Sequence, residues 1–207
     1  MYNKIYANKF TSFKLIRFNL LNHQLSYSCL LVTLVLLFNV QPVAAADGLI
    51  GQTWLAVKTE LSNTWQSPNS ELYIPINTWH NRHYYSAEKI DSFNERPWGL
   101  GLGKYRYDED GDWHGIYAMA FLDSHHDVEP IAGYGFQKVW QASDNIRFGL
   151  GYTAGVTVRS STNYLPIPVL APLFSVKYKQ VALQSTYIIG GNGYGNILFS
   201  WLRWELP

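Results

Sequence analysis

Between residues 145 and 159, apolar residues alternate strictly with small or polar ones. One face carries isoleucine, phenylalanine, leucine, tyrosine, alanine and valine, whereas the other carries glycine, threonine and arginine. Successive side chains of a β-strand point to opposite faces, so this pattern predicts a strand with one wholly apolar face. A run of about fifteen residues is long for a strand of a soluble sheet. The pattern therefore favours a strand that faces lipid.

Similar alternation, interrupted by turn signals, recurs along the chain after residue 66. It predicts eight strands near residues 71–80, 96–107, 113–122, 130–140, 145–159, 167–178, 181–189 and 195–206. An even number of antiparallel strands can close without free edges, as lipid requires. Several connections are short and others long, which is typical of periplasmic turns and outer loops. The predicted fold is all-β, an eight-stranded antiparallel transmembrane β-barrel over residues 67–207.

A soluble, lipocalin-like barrel is the alternative for the same eight strands. Its apolar face would point inward, and glycines on the opposite face, such as Gly99, Gly101 and Gly103, do not suit it. We therefore expect the apolar faces to point outward into lipid.

An N-terminal amphipathic helix is predicted before the strands, at roughly residues 50–65 within a periplasmic-side segment 47–66. Its apolar residues recur at intervals of three or four, which is the spacing of one helix face: Trp54, Val57, Leu61 and Trp65. This aromatic stripe could pack on protein or lie in a membrane interface.

Residues 1–46 have the features of a cleaved secretory signal peptide. A long basic start precedes the apolar run Cys29–Val40, and small residues follow at Val43–Ala46. The apolar run is too short to span a bilayer as a helix, which argues against a membrane-anchoring helix. Residues 47–207 contain no cysteine, so disulfides cannot stabilise this part of the chain.

The charge of the segment after the signal peptide argues against nucleic acid as a partner. Four of the 16 basic residues lie within residues 1–46, which leaves 12 against 15 acidic residues. A net charge near −3 without a basic patch is not the footprint of a nucleic-acid-binding protein.

Three residues with reactive or titratable side chains lie at the ends of predicted strands. His80 ends the first strand, and Asp123 and Ser124 follow the third. If the helix lies inside, both strands run outward, and all three side chains share the outer rim of a narrow barrel. A hydroxyl, a base and an orienting carboxylate are the groups that acyl transfer needs. A solvated loop is the alternative, because exposed residues of these types are common.

Other polar residues near the predicted turns carry weaker signals. His125 and His126 could serve as the base instead of His80, but no further ligand spacing supports a metal site, and we predict none. The segment Asp108–Asp112 lacks the final acidic ligand of a calcium loop, so it is interpreted as an acidic hairpin turn. His114 is interpreted as structural.

Six stretches of the chain resemble the PagP family of outer-membrane lipid A palmitoyltransferases. They are ELYIPINTWH (71–80), FNERPWG (93–99), WHGIYAMAFLDS (113–124), EPIAGYG (129–135), LGYTAGVT (150–157) and LPIPVLAPL (165–173). The resemblance implies a barrel in the outer membrane of a Gram-negative bacterium, with its active site on the outer face. It also implies that a palmitoyl chain moves from the sn-1 position of a phospholipid to a hydroxyacyl chain of lipid A, without a cofactor. A homodimer is a further expectation.

The resemblance also assigns roles to individual residues. It implies that His80, Asp123 and Ser124 are catalytic, that Gly135 forms the floor of an acyl pocket, and that Lys89 recognises lipid A. Lateral access for lipid is implied where proline interrupts the strands, or where the family has proline or a gating tyrosine: Pro75, Pro97, Pro172, Ile189 and Asn192.

Two other functions remain open. One is an outer-membrane phospholipase with water as acceptor, and the other is a small non-enzymatic barrel with a structural or adhesive role. A barrel that holds a lipid chain needs small or apolar inward residues, and this requirement favours the acyltransferase. The small inward residues are Gly133, Gly135, Gly151 and Thr153.

Overall fold

The computed structural model describes residues 48–191 and 194–207, with the side chains of Leu49 and Ile50 excepted. The predicted signal peptide and Asn192 lie outside the described residues. The first helix, α1, spans Leu49–Trp65, and a short helix, α2, spans Ala87–Asp91. The strands are β1 Ser70–His80, β2 Gly99–Tyr107, β3 Trp113–Leu122, β4 Val128–Gln141, β5 Ile146–Thr157, β6 Ile167–Tyr178, β7 Val181–Ile188 and β8 Ile197–Glu205. A 3₁₀ turn, Ser160–Thr162, precedes β6.

The strands form one closed antiparallel barrel in chain order, and β8 returns to pair with β1. This arrangement confirms the predicted fold class. The start predicted for β2 at residue 96 is wrong, because that strand begins at Gly99. Pro97 has no N–H to donate to a ladder, and the N–H of Arg96 donates to the side chain of Asn94. The end predicted for β5 is also two residues too late, since the strand stops at Thr157.

The outer wall of the barrel is apolar. On β5, Phe148, Leu150 and Tyr152 are exposed, whereas Thr153 and Thr157, which alternate with them, are buried. On β2, Leu100 and Leu102 are likewise exposed. Such a continuous apolar exterior is the surface of a barrel that spans a lipid bilayer. Among the described residues, no helix combines the length and the apolar character needed to cross a membrane.

Helix α1 is held against the barrel by polar contacts. Glu60 forms an ion pair with Arg106 of β2 and lies 3.4 Å from Nδ1 of His114 on β3. Val57 and Trp65 of the apolar stripe stay exposed. Of the two environments considered for the aromatic stripe, this exposure favours a membrane interface.

The barrel interior has two parts with different chemistry. Buried charged residues lie near the end of the barrel where β1 begins, and they pair with one another: Glu71, Lys177, Arg203 and Glu205. Burial of charge is tolerable only with such pairing. Towards the end where His80 lies, β3 and β8 carry a cluster of buried apolar or aromatic side chains: Tyr117, Met119, Phe121 and Phe199. The group of four buried charges and this apolar cluster therefore lie towards opposite ends of the interior, although a buried carboxylate, Glu129, which pairs with Arg159, lies level with Phe121.

Candidate active site

His80 lies between a hydroxyl and a carboxylate at the rim of the barrel. It is the last residue of β1 and is only 2% exposed. Its Nε2 lies 2.9 Å from Oγ of Ser124, and its Nδ1 lies 3.0 Å from Oε1 of Glu95. This geometry can pass a proton from the serine hydroxyl to the imidazole while the carboxylate stabilises the ring.

Ser124 comes directly after β3, in a turn that brings its hydroxyl back towards β1. The turn closes at Asp123, whose backbone N–H donates to the carbonyl of Asp127 at 2.8 Å. The carbonyl of Ser124 accepts the N–H of Asn94 at 2.9 Å. The predicted convergence of His80 and Ser124 at one rim is therefore present in the structure.

Asp123 does not take the orienting position beside His80 that the sequence analysis gave it. Its Oδ1 accepts the backbone N–H of His125 at 2.8 Å and that of Asp127 at 3.0 Å. These bonds stabilise the turn that carries Ser124. The carboxylate that lies against the imidazole is that of Glu95, fifteen residues beyond His80.

Glu95 is held as a carboxylate by several donors. Arg82 donates to both of its oxygens, and the backbone N–H of His80 donates to Oε1 at 3.0 Å. The hydrogen bond from Arg82, followed by those from His80, lowers the pKa of Glu95 to about 2. The carboxylate beside Nδ1 is thus ionised at every pH at which the imidazole could work as a base.

Aromatic rings enclose the imidazole. Phe93 stacks on His80 with the ring centroids 4.4 Å apart, and Tyr85 meets it edge-on at 5.4 Å. The ammonium of Lys89 lies 5.5 Å from the ring centroid of Tyr85. Lys89 therefore lies close to the rings that cover the site, on the short helix α2 of the long loop between β1 and β2.

The alternative bases proposed from the sequence, His125 and His126, lie in the turn after β3. The side chain of His125 is 62% exposed, and its Nδ1 is 3.9 Å from Oδ2 of Asp123. His126 has a positive φ of 67° in the turn. Across residues 48–191 and 194–207, no three His, Cys, Asp or Glu side chains are grouped to hold a metal. His114 is buried and contacts Tyr134 and Asp108, which is consistent with the structural role expected of it.

Gly135 faces the interior of the barrel. A Cβ atom at this position would lie 2.8 Å from Cζ3 of Trp113 and 3.2 Å from Cδ2 of Leu173. The guanidinium of Arg203 lies 4.2 Å from the centroid of the Trp113 ring. Trp113 thus contacts both Gly135 and the buried charged cluster, and sequence reasoning gave no role to this tryptophan.

The ladder is incomplete at two places on the wall. Pairs between β1 and β2 end at Tyr73 and Gly101, and Pro75 and Pro97 flank the stretch without pairs. Pairs between β6 and β7 end at Leu173 and Thr186. Pro172 and Ile189 flank that second stretch, and the side chain of Ile189 is exposed. These positions are where the sequence analysis expected lateral access for lipid.

Sequence reasoning missed several residues that contact His80 or Ser124. Glu95, Phe93 and Asn94 are consecutive residues of the stretch FNERPWG, and Arg82 follows β1. The signals in the sequence were that this stretch belongs to those that resemble the family, lies in a long loop and contains one carboxylate. Nothing in its spacing predicts a contact with either strand end.

The fold and the site together define a class of protein, an outer-membrane β-barrel enzyme with a serine, a histidine and a carboxylate at one rim. A family model described as the antimicrobial peptide resistance and lipid A acylation protein PagP matches residues 60–203. A lipid A acyltransferase PagP from Laribacter hongkongensis is 56% identical over 159 residues, which cover 77% of this chain and 75% of the relative. The chain belongs to the PagP family.

Two further relatives carry the same name. One, from Yersinia enterocolitica, is 55% identical over 154 residues, covering 73% of this chain and 76% of that protein. The other, from Photorhabdus laumondii, is 55% identical over 154 residues, covering 73% of this chain and 74% of that protein.

Proposed function

We propose that this protein is a lipid A acyltransferase that moves a palmitoyl chain from the sn-1 position of a phospholipid to a hydroxyacyl chain of lipid A. Membership of the PagP family supports lipid A as the acceptor. The observation that carries the proposal is the 2.9 Å contact between Nε2 of His80 and Oγ of Ser124 at the rim of the barrel. Such a pair activates a hydroxyl for attack on an ester.

The reaction proceeds in two halves. His80 Nε2 takes the proton of Ser124 while Oγ attacks the carbonyl carbon of the sn-1 ester. The bond from that carbon to the glycerol oxygen breaks, and the lysophospholipid leaves with the proton from Nε2. The hydroxyl of lipid A then loses its proton to Nε2 and attacks the acyl carbon, and Ser124 leaves and regains the proton. Direct attack by a lipid A hydroxyl deprotonated by His80, without an acyl-enzyme, is the alternative route.

The acyl chain lies in the interior below the rim. A cluster of buried apolar and aromatic side chains, which includes Met119, Phe121 and Phe199, lies on this side of Trp113, and a hydrocarbon chain favours such surroundings over water. A purely structural barrel would fill this space with charged networks, and buried charges of that kind cluster instead around Arg203. Gly135, beside Trp113, forms the end of the pocket.

Lipids enter through the two stretches of wall that lack ladder pairs. One opens between β1 and β2, beside Pro75 and Pro97, and the other between β6 and β7, beside Pro172 and Ile189. An interrupted ladder can part laterally because few hydrogen bonds must break. Lys89 offers a cation to a lipid A phosphate at the outer face. Three further expectations stay predictions: a gating role for Asn192, cleavage of residues 1–46 as a signal peptide, and a homodimer.

Identification of the products tests the proposal. The purified barrel is given lipid A and a phospholipid whose sn-1 chain alone is isotope-labelled palmitate, and all lipids are analysed by mass spectrometry. Labelled palmitoyl-lipid A together with lysophospholipid is the expected result. Labelled free palmitate alone would make the protein a phospholipase, and no product at all would favour a non-enzymatic barrel. A donor labelled only at sn-2 is the matched control and should leave lipid A unlabelled.

A further inference from the structure

Glu95 lies beside the catalytic imidazole, although it belongs to the long outer loop between β1 and β2. One oxygen, Oε1, accepts the backbone N–H of His80 at 3.0 Å and lies 3.0 Å from Nδ1 of its ring. The same oxygen thus holds the backbone and the ring of one residue. We infer that Glu95 is a positioning residue for His80 in acyl transfer, an inference that rests on the proposed function.

The chemistry requires a partner of this kind. Nε2 must be unprotonated to accept the proton of Ser124, so the resting imidazole must carry its proton on Nδ1. A carboxylate that accepts a hydrogen bond from Nδ1–H selects that tautomer and stabilises the imidazolium that forms. Glu95 is in place to do both, since it contacts Nδ1 while Ser124 contacts Nε2.

Arg82 keeps this carboxylate in position. Its guanidinium donates to both oxygens of Glu95 and also to the carbonyl of His80. A two-pronged pair of this type fixes the plane of the carboxylate as well as its charge. Because Arg82 and Glu95 are both partly exposed, the pair matters here for geometry and ionisation rather than for global stability.

The two residues before Glu95 brace the other parts of the site. Phe93 stacks on the imidazole, and Asn94 donates through its backbone to the carbonyl of Ser124 at 2.9 Å and through its side chain to the carbonyl of Asp123 at 3.2 Å. The carbonyl of Glu95 accepts the N–H of Thr78 on β1 at 3.1 Å. The segment 93–95 therefore joins the ends of β1 and β3 and holds His80 and Ser124 in register.

Asp123 has a different role from that of Glu95 in this site. Its carboxylate accepts two backbone N–H groups of its own turn. Removal of the whole side chain would loosen the turn and displace Ser124. An asparagine can still accept both bonds through its amide oxygen, whereas loss of charge at position 95 removes the partner of Nδ1. The two carboxylates should therefore respond differently to amide substitution.

Steady-state kinetics of folded variants test the inference. We expect Glu95→Gln to lower kcat by about 10²–10⁴-fold with little change in KM for either lipid. The acid limb of its pH profile should move to lower pH because the imidazolium loses its counter-charge. Glu95→Asp should recover part of kcat. Glu88→Gln, an exposed acidic residue of α2 in the same loop, is the matched control and should behave as wild type.

The outcomes separate this inference from the proposed function. No transfer by the wild-type protein would refute the function itself. Wild-type transfer together with an unchanged kcat and pH profile in folded Glu95→Gln would overturn the positioning role alone. Nitrogen-15 NMR of the His80 ring is independent of activity and of the variants. We expect the Nδ1–H tautomer in the wild-type barrel, and an Nε2–H tautomer would also overturn the inference.

Discussion

Trp113 and Gly135 lie against each other inside the barrel, so that a Cβ atom at Gly135 would come within 2.8 Å of Cζ3 of the Trp113 ring. The ring is fully buried and is covered by Arg203, so it has little freedom to move away. Two neighbouring strands thus form one end of the apolar interior, a glycine leaving space and a tryptophan filling it. This pairing suits a pocket whose depth is set by single atoms.

Substitution of Gly135 should change the length of acyl chain that the enzyme transfers. Overpacking a tight apolar site costs roughly 1–3 kcal/mol, and about 1.4 kcal/mol is a tenfold preference. We expect Gly135→Ala to favour a slightly shorter donor and Gly135→Met a much shorter one. Competition between phospholipids of graded chain length measures the shift. An unchanged preference in folded Gly135→Met would remove Gly135 from the pocket floor, leaving it only a packing role.

Removal of either partner in the contact between His80 and Ser124 should nearly abolish transfer. We expect His80→Ala and Ser124→Ala each to lower kcat/KM by several orders of magnitude, and the double variant to be hardly worse, because the groups act as a unit. The barrel should remain folded, as its strand ladders are untouched. Full activity in folded Ser124→Ala would exclude Ser124. If His80→Ala were active and His125→Ala inactive, the base would be His125.

The two substitutions of Asp123 should differ. Asp123→Ala removes the acceptor of two backbone N–H groups in the turn that carries Ser124. We expect it to lose most of its activity. Asp123→Asn keeps an acceptor oxygen and should stay within about tenfold of wild type, since a neutral hydrogen bond is weaker than a charge-assisted one. The kcat/KM values of the two folded variants check this. Equal and complete loss of activity in both variants would indicate that the charge of Asp123, and not that of Glu95, orients His80.

Ile189 offers a test of lateral entry. It lies just beyond β7, where pairing with β6 has ended, and a proline there would remove a backbone donor. Ile189→Pro should therefore keep or raise the rate of phospholipid entry. Transfer rates at low donor concentration measure this, with valine at the same position as a control that keeps the N–H. A marked loss of activity in the folded proline variant would contradict the gap as an entrance.

Acid should loosen the loop around Glu95 at a defined pH. The folded-state pKa of about 2 lies below the ordinary value of 4.5, so ionised Glu95 stabilises the folded loop. That contribution is complete above about pH 4.5 and is lost as the pH falls towards 2. Hydrogen exchange of residues 81–98, corrected for intrinsic rates, should show this loss. In Glu95→Gln the same dependence should be absent, and an identical acid response would assign it to other groups.

The order and number of the strands could be predicted from local pattern, because a period of two along the chain reports directly which face of a strand meets lipid. The predicted limits failed where a single proline or a side-chain hydrogen bond acts, as at Pro97 before β2. The expected proximity of His80 and Ser124 followed from counting strand directions, since every second strand of an antiparallel barrel runs in the same direction and ends at the same rim.

The partner of His80 depended on tertiary structure. Asp123 is adjacent to Ser124 in the sequence and was the natural choice, whereas Glu95 lies in a loop without regular period. Only the closed barrel brings that loop over the rim, where Asn94 bonds to the turn after β3 and Glu95 to the end of β1. Likewise, Trp113 meets Gly135 across β3 and β4 through a side-chain direction that no periodicity specifies. Backbone alternation is a local property that sequence carries, whereas the pairing of side chains from distant segments is decided by how the chain closes in three dimensions.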